Sequence, residues 1–364
     1  MAQSVVKPAS HIRRTGIAGS LLIVLLLLCV SLPGCGSKEK SKLVVFEAGS
    51  LIVPFAAIEK EFESTHPNID VQIEAHGSIQ VIRHVTELGE DVDVVAVADY
   101  SLVPLLMYAS FMPDGKPFAD WYIKPATNEL VLAYSATSKY ADEIDAGNWY
   151  EIIARPDVRL GLSDPRMDAV GYRTLMACKL AEFHYGADNI LRDAIGRSMG
   201  NAITSRVVAG GSLITVPELL EPSDNHVSLR GASMQLIALL ESGDIDYTFE
   251  YKSVVVQHDL DFIELPPRVN LGDSSLADFY SRVTVKIDFR RFKTVTPEFK
   301  GVPIGYGLAI PQNSLQKEAA AEFIRFVLGP EGRRIFEEQH HPPLVPPECD
   351  NTAALPGVLK SFFR

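Results

Sequence analysis

Clustered basic residues are missing from this 364-residue chain: 34 Lys and Arg stand against 46 Asp and Glu, for a formal charge of −12. Phosphate contacts need grouped cations, so the composition excludes a general nucleic-acid binder. An anionic partner, if there is one, is not attracted by net charge. Cysteine is scarce, at 4 residues, and tryptophan scarcer, at 2. The separation of Cys178 and Cys349 forms no metal or redox motif, so both read as structural or free thiols, with a disulfide between them left open. Two tryptophans are few for a glycan-binding groove. Nucleophile-elbow, P-loop and zinc motifs are absent as well, which leaves a hydrolase using an Asp/Glu pair as the only enzymatic alternative. The first apolar run, 21–30, is too short to span a bilayer comfortably.

Composition otherwise fits a folded protein, with 47% hydrophobic and 22% charged residues and enough length for two lobes with separate cores. The first 35 residues have the order of a targeting segment: Lys7, Arg13 and Arg14, then the apolar run, then Leu32-Pro33-Gly34-Cys35. That ending resembles the lipobox of bacterial lipoproteins, in which the cysteine, here Cys35, takes the lipid. Residues 1–35 are thus expected to be a signal peptide and 36–42, GSKEKSK, a polar tether. Acyl chains on Cys35 would hold the domain at the extracytoplasmic face of the cell membrane without a transmembrane helix.

Along the rest of the chain, short β-rich runs alternate with helical periodicity. Residues 43–46, 69–74 and 92–98 read as strands; Phe55, Ile58 and Phe62 share one helix face, as do Ile82, Val85 and Leu88. A second round begins near 128, with strands at 128–135, 159–165 and 245–251 and helices near 172–185 and 232–242. The end returns to the first theme, with a strand at 302–311 and two helices within 317–339 broken at Gly329-Pro330. This order predicts two α/β lobes, each a mainly parallel sheet flanked by helices and joined by crossing hinge segments. Lobe 1 takes 43–125 and 305–364, lobe 2 takes 126–304, and a ligand is expected between them at the carboxyl ends of strands.

Three strand-to-helix turns carry the candidate chemistry: Gly49-Ser50, Gly77-Ser78 and SDPRMDAVGYR at 163–173. Each serine alone reads as an N-cap. Two in one lobe, both at strand ends, make a ring of N–H and O–H donors suited to a small oxyanion. Asp168 stands where a helix begins, and Asp164, right after the strand, competes with it for a functional role. Glu250 sits in the apolar strand IDYTFEY, 245–251, and must be paired or coordinating if that strand is central. His76 is a candidate for the rim, Tyr251 for the cleft or the core, and His340-His341 for a solvated, proline-rich tail.

FEAGSL, EAHGSIQVIRHVTEL, DVVAVADYSLV, DPRMDAVGYRTLM, DYTFEYKSVVVQH, IELPPRVNLG and YGLAIP succeed one another between residues 42 and 345. Together they resemble the tungstate/molybdate-binding proteins of ABC importers, the tungstate-transport type of archaea and some bacteria. The resemblance implies a type II periplasmic-binding-protein fold. It further implies a metal six-coordinated by four oxo groups and two carboxylates, here Asp168 and Glu250. Gly49, Ser50, Gly77, Ser78, Gly171 and Tyr251 would bind the oxo groups. Ala169-Val170 depart from the proline and small residue expected after the coordinating Asp, and residues 186–230 form an apparent extra piece of unassigned role.

In function, the resemblance implies an extracytoplasmic solute-binding protein and no enzyme. It would be monomeric and lipid-anchored, and would carry tungstate or molybdate to an ABC-transporter permease with no cofactor beyond that ligand. Carboxylates serve as ligands for molybdenum or tungsten, which expand their coordination shell, and repel sulfate, which cannot. The alternatives within the same fold are sulfate, phosphate or a ferric ion, for which Asp168, Glu250 and Tyr251 are hard donors.

Overall fold

Six strands make the first sheet, in the order Pro343–Cys349, Ile123–Ala126, Gly307–Ala309, Val94–Val97, Ser41–Ala48, Ile69–His76. This computed structural model describes residues 40–288, 292 and 295–363. The proposed leader, with the lipid-anchor cysteine Cys35, lies outside the described residues, as does the tether up to residue 39. Among the described residues no helix is long and apolar enough to cross a membrane.

The second sheet runs Asp261–Glu264, Leu130–Tyr134, Tyr247–Tyr251, Leu160–Ser163, Val227–Arg230, and the third runs Glu298–Lys300, Val283–Ile287, Gly211–Val216, Thr204–Val208. The α/β class is therefore as the alternation of strands and helices implies, and the pairing is mixed. Ser41–Ala48 pairs in parallel with both Ile69–His76 and Val94–Val97, and Leu160–Ser163 does so with both Tyr247–Tyr251 and Val227–Arg230. The strands Gly307–Ala309, Leu130–Tyr134 and Asp261–Glu264 join antiparallel. Parallel strands need a helix to return the chain, and the crossovers leave their carboxyl ends together along one edge of each sheet.

Helix Ile52–Thr65 buries Phe55, Ile58 and Phe62 completely, as their spacing requires. Phe323 meets Phe55 and Phe62 edge-on, with ring centroids at 5.9 Å and 5.3 Å. Each such side chain contributes roughly 1.5–3 kcal/mol by leaving water. The next helix departs from a simple stripe: Ile82 and Val85 are buried but Leu88 is 57% exposed. Helix Ser78–Arg83 widens into a π-turn over His84–Leu88, and one extra residue in the turn rotates the face by which Leu88 was placed.

Toward the end of the chain, helices Lys317–Leu328 and Pro330–Glu338 are separated at Gly329, with Pro330 in the first turn where its missing N–H costs nothing. The proline-rich stretch beyond them is a strand rather than a solvated tail. Pro343–Cys349 lies on the outer edge of the first sheet, where prolines are tolerated because half the backbone has no ladder partner. Residues 186–230, the apparent extra piece, supply the hairpin Thr204–Val208 with Gly211–Val216 of the third sheet and the edge strand Val227–Arg230 of the second.

Two segments join the first sheet to the second. One comes after Ile123–Ala126 and the other precedes Gly307–Ala309; they bridge at Thr127 and Gly305, and the Tyr306 N–H donates to the Ala126 carbonyl at 3.0 Å. Cys178 is buried and Cys349 partly buried, and both are free thiols, so no disulfide links them.

Candidate functional site

The parallel strands bring the chemistry together. Ser50 follows Ser41–Ala48, Ser78 follows Ile69–His76, Asp168 follows Leu160–Ser163, and Glu250 stands one residue from the end of Tyr247–Tyr251. All four side chains are buried, from 0% exposure for Ser78 and Glu250 to 6% for Asp168. Tyr247–Tyr251 is the central strand of its sheet, which is why a carboxylate there has no access to water.

At both Gly-Ser turns the glycine marks a close approach from the other sheet's loops. A Cβ on Gly49 would fall 2.8 Å from Met234 Cγ, and one on Gly77 would fall 2.4 Å from the Met167 carbonyl oxygen. The Ile79 N–H also donates to that carbonyl at 3.1 Å. The loop carrying Asp168 is therefore latched onto the turn carrying Ser78. Gly171 occupies the first turn of helix Ala169–Tyr185, where its Cβ would meet the Ser163 carbonyl at 2.3 Å. Amides of a first helical turn have no partner within the helix.

Asp168 caps that helix. Its Oδ1 accepts from Val170 N–H at 3.2 Å, and its Oδ2 accepts from the Ser163 hydroxyl at 3.0 Å and from Ser233 N–H at 2.7 Å. Burial raises its pKa, and these donors hold the rise down. Asp164, the competing acid, is bound by Arg166, whose Nε donates at 2.8 Å and whose Nη2 lies 2.5 Å away. With its charge matched within its own loop, Asp164 leaves Asp168 as the acid that faces Glu250.

Glu250 is the less stable charge. Its Oε1 accepts from Tyr251 N–H at 2.7 Å, while Oε2 is buried with no partner. Burial first, with the negative charge of Asp168 adding to it, pushes the carboxyl up to about 8. An unpartnered buried carboxyl oxygen costs several kcal/mol if charged. It is a place where a ligand or a proton belongs.

Tyr251 reaches the site through a cation. Its hydroxyl accepts from Arg173 Nη1, and Arg173 also donates to the Ala98 carbonyl at 2.6 Å and pairs with Asp99 at 3.2 Å. Among the described residues Arg173 is the only buried Lys or Arg, so it is the one positive charge inside this cell of acids and hydroxyls. Tyr172 donates to Asp99 at 2.6 Å. His76 is partly exposed, with its ring stacked on His84 at 4.4 Å and its Nε2 3.6 Å from Glu74.

Several residues here went unread in the sequence. Ser233, just ahead of helix Met234–Glu241, donates through its backbone N–H to Asp168 Oδ2 at 2.7 Å. A serine in Ala232-Ser233-Met234 at the head of an apolar helix was the available signal. His341 was placed in solvent and is instead fully buried. Its Nε2 lies 3.0 Å from the Ser50 carbonyl and its Nδ1 lies 2.8 Å from that of Gln339, and burial lowers its pKa to about 4. Tyr306 and Asn128, from the two joining segments, complete the surroundings of Ser50.

The family model for bacterial extracellular solute-binding proteins matches residues 43–340. The chain belongs to this family. Solute-binding proteins of this kind capture a substrate for transport. The chain is 39% identical over 342 residues to the molybdate/tungstate-binding protein of Pyrococcus abyssi, covering 91% of this chain and 93% of that one. It is 38% identical over 345 residues to the protein of the same name from Thermococcus kodakarensis, with coverage of 90% and 92%, and 39% identical to an uncharacterized solute-binding protein of Petrotoga mobilis over 323 residues, 89% and 90% of the two chains. Among solved structures, the Azotobacter vinelandii periplasmic molybdate-binding protein superposes with a TM-score of 0.52 at 15% identity, over 82% of this chain and 98% of that one. The Mycobacterium tuberculosis sulfate-binding protein also gives 0.52, at 14% identity, over 84% and 87%. These two likenesses establish the periplasmic-binding-protein fold of this solute-binding protein and leave its ligand to the site.

Proposed function

We propose that this solute-binding protein captures tungstate or molybdate in the cell formed by Ser50, Ser78, Asp168 and Glu250 and delivers it to the permease of an ABC importer. The observation that carries the reading is the Glu250 Oε2 atom, buried and unpartnered, in a carboxyl that feels the charge of Asp168, with the Gly77-Ser78 turn packed on Met167-Asp168 and the Gly49-Ser50 turn packed on Met234 beside Ser233. A metal that accepts further hard oxygen donors turns those carboxylates from repellents into ligands. In this reading the metal takes Asp168 and Glu250 besides its four oxo groups, and the oxo groups take the donors of Gly49-Ser50, Gly77-Ser78, Gly171 and Tyr251. Names of the Pyrococcus and Thermococcus relatives support the same ligand class.

Lobe 1 then comprises 43–125 with 305–364, lobe 2 comprises 126–304, and ligand contacts from both favour the closed form because only that form makes them all. No covalent chemistry and no cofactor enter this reading. Cys35 carries the lipid anchor, and the domain works as a monomer outside the cytoplasm. Burial of both carboxyls speaks against a hydrolase, since a polymeric substrate could not reach them.

A second reading comes from Glu250 itself. Held up to about 8, it is protonated at neutral pH and could donate to an oxo group, so sulfate meets less repulsion than two charged carboxylates would produce. Titration calorimetry with tungstate, molybdate, sulfate and ferric citrate, repeated in buffers of different ionisation enthalpy, separates the readings. Coordination by Glu250 releases its proton at pH 7, whereas hydrogen bonding retains it. Asp168→Ala and Glu250→Ala should each weaken tungstate binding by more than about 100-fold, beyond the 10–100-fold typical of residues one shell out. Heat with sulfate and none with tungstate, or unchanged affinity in both variants, sinks the coordination model.

A further inference from the structure

Neither Ser50 nor Ser78 is the N-cap that its place in the sequence suggested: the cap positions are Ala48 and Leu51 around the first turn and Gly77 at the second, and neither serine hydroxyl caps a helix. Each hydroxyl oxygen already accepts a hydrogen bond from the protein: Ala98 N–H donates to Ser78 Oγ at 3.0 Å, and the Tyr306 hydroxyl donates to Ser50 Oγ at 3.2 Å. For Ser78 the direction is fixed, because a backbone N–H can only donate. A tyrosine hydroxyl can turn either way, so the direction at Ser50 must be set further back.

It is set at Asn128. The Glu129 N–H donates to Asn128 Oδ1 at 2.9 Å, which identifies that atom as the oxygen and leaves the amide nitrogen on the other side. The two amide hydrogens go to Ser253 Oγ at 2.8 Å and to the Tyr306 hydroxyl oxygen at 2.9 Å. Having received one, Tyr306 directs its own hydrogen to Ser50. Behind Ser253 stands the His341 ring, with Nε2 3.2 Å from Ser253 Oγ and 3.0 Å from the Ser50 carbonyl and Nδ1 2.8 Å from the Gln339 carbonyl. Asn128, Ser253, Tyr306 and His341 are all buried, so water does not replace any member. The Ser50 hydroxyl, accepting from Tyr306, has no acceptor for its own hydrogen among the described residues.

The geometry points to Asn128 and Tyr306 as positioning residues that hold the Ser50 hydroxyl in its donating sense toward the oxyanion, acting from the two segments that join the sheets. This rests on the reading of Ser50 as an oxyanion ligand. A site whose serines present only donors favours an oxyanion with no hydrogen of its own, because a protonated oxyanion would set donor against donor. Ligand selection is then decided partly at the joint between the sheets, by residues that never touch the ligand.

The test is calorimetric titration with sodium tungstate of Tyr306→Phe and Asn128→Asp, each made with Ser50 intact and in a Ser50→Ala background. Tyr306→Phe frees Ser50 to turn and should weaken binding by about 3- to 10-fold. Asn128→Asp should cost more, about 10- to 100-fold: the new carboxylate takes the Tyr306 hydrogen, and Ser50 then donates to Tyr306 and turns a lone pair on the oxyanion. With Ser50→Ala neither substitution should matter further, a non-additivity that general damage would not produce. Equal losses in both backgrounds, or none in either, overturn the inference while wild-type binding keeps the reading of the site. No wild-type heat with tungstate, molybdate or sulfate overturns both. Tyr306→Phe, which removes one oxygen atom, carries the test alone should Asn128→Asp not fold.

Discussion

Arg173 and Asp99 form an ion pair at 3.2 Å with both side chains buried, and so tie helix Ala169–Tyr185 to the strand end that follows Val94–Val97. The pair spans the boundary between the two sheets that carry the candidate site. Around it, Tyr172 donates to Asp99, and Arg173 donates to Ala98 and Tyr251, so both charges are compensated without water. Removing one partner strands the other. Arg173→Leu is expected to destabilise the protein by about 3–5 kcal/mol, read from urea unfolding at pH 7. The double variant with Asp99→Asn should recover part of that loss, because no charge then stays buried alone.

Stability in the absence of ligand should fall as pH rises. Glu250 titrates near 4.5 in an unfolded chain and is held up to about 8 by burial and by Asp168. The folded state therefore keeps a proton that the unfolded state gives up, and the contribution, complete below about pH 4.5, is lost between there and pH 8. Asp168 and Glu47, both raised by burial, act in the same direction. Melting temperatures of wild type and Glu250→Gln across this range should show a shallower decline for the variant. Saturating tungstate should flatten the wild-type curve, since coordination takes the ionised carboxylate; a slope unchanged by both would remove Glu250 from the site.

The opposite limb belongs to His341. Its ring is held neutral by burial, down to about 4 from the ordinary 6.5, so below pH 6.5 an unfolded chain takes a proton that the folded one refuses. Stability conferred by the neutral ring is present above 6.5 and lost as pH falls toward 4. His341→Gln should show less acid destabilisation over that interval in the same melting series. An identical acid limb would mean that His341 does not titrate on unfolding.

Gly77→Ala sets packing against closure. Its new Cβ would stand 2.4 Å from the Met167 carbonyl oxygen, closer than atoms approach, so the loop holding Asp168 must move away. A loss of about 1–3 kcal/mol is expected, the usual cost of overpacking, together with weaker tungstate binding. Gly89, where the chain adopts a left-handed turn and a Cβ meets nothing, provides the control: Gly89→Ala strains the backbone by about 1 kcal/mol and should leave affinity unchanged. Equal affinity losses at the two positions would show that neither acts through the Met167 contact.

Much of the site could be read locally. Gly49-Ser50 and Gly77-Ser78 stood out because each follows an apolar run and opens a helical one, and strand-to-helix turns in parallel sheets share an edge for topological reasons. Glu250 drew notice as a charge in an otherwise apolar strand. Such signals survive in a one-dimensional text because they depend on neighbours a few residues away. The surroundings of Ser50 do not: Tyr306 is 256 residues from it and His341 291 residues, and nothing in either local pattern marks them. His340-His341 beside a run of prolines has the composition of a solvated tail, yet Pro343–Cys349 adds to the edge of a sheet and draws His341 into the core.

The sequence by itself determined the alternation of strands and helices, the two hydroxyl-bearing turns and the uncomfortable charge of Glu250, since these follow from periodicity, turn chemistry and the cost of a charge in an apolar strand; the role of Asp168 came with the family resemblance. Only the tertiary structure decided which acid faces Glu250, because Asp164 and Asp168 differ in having or lacking a neighbouring arginine to match them. It also decided the direction in which the hydroxyl of Ser50 points. A hydroxyl has no preferred sense of its own; it takes one from partners that folding brings from the far end of the chain.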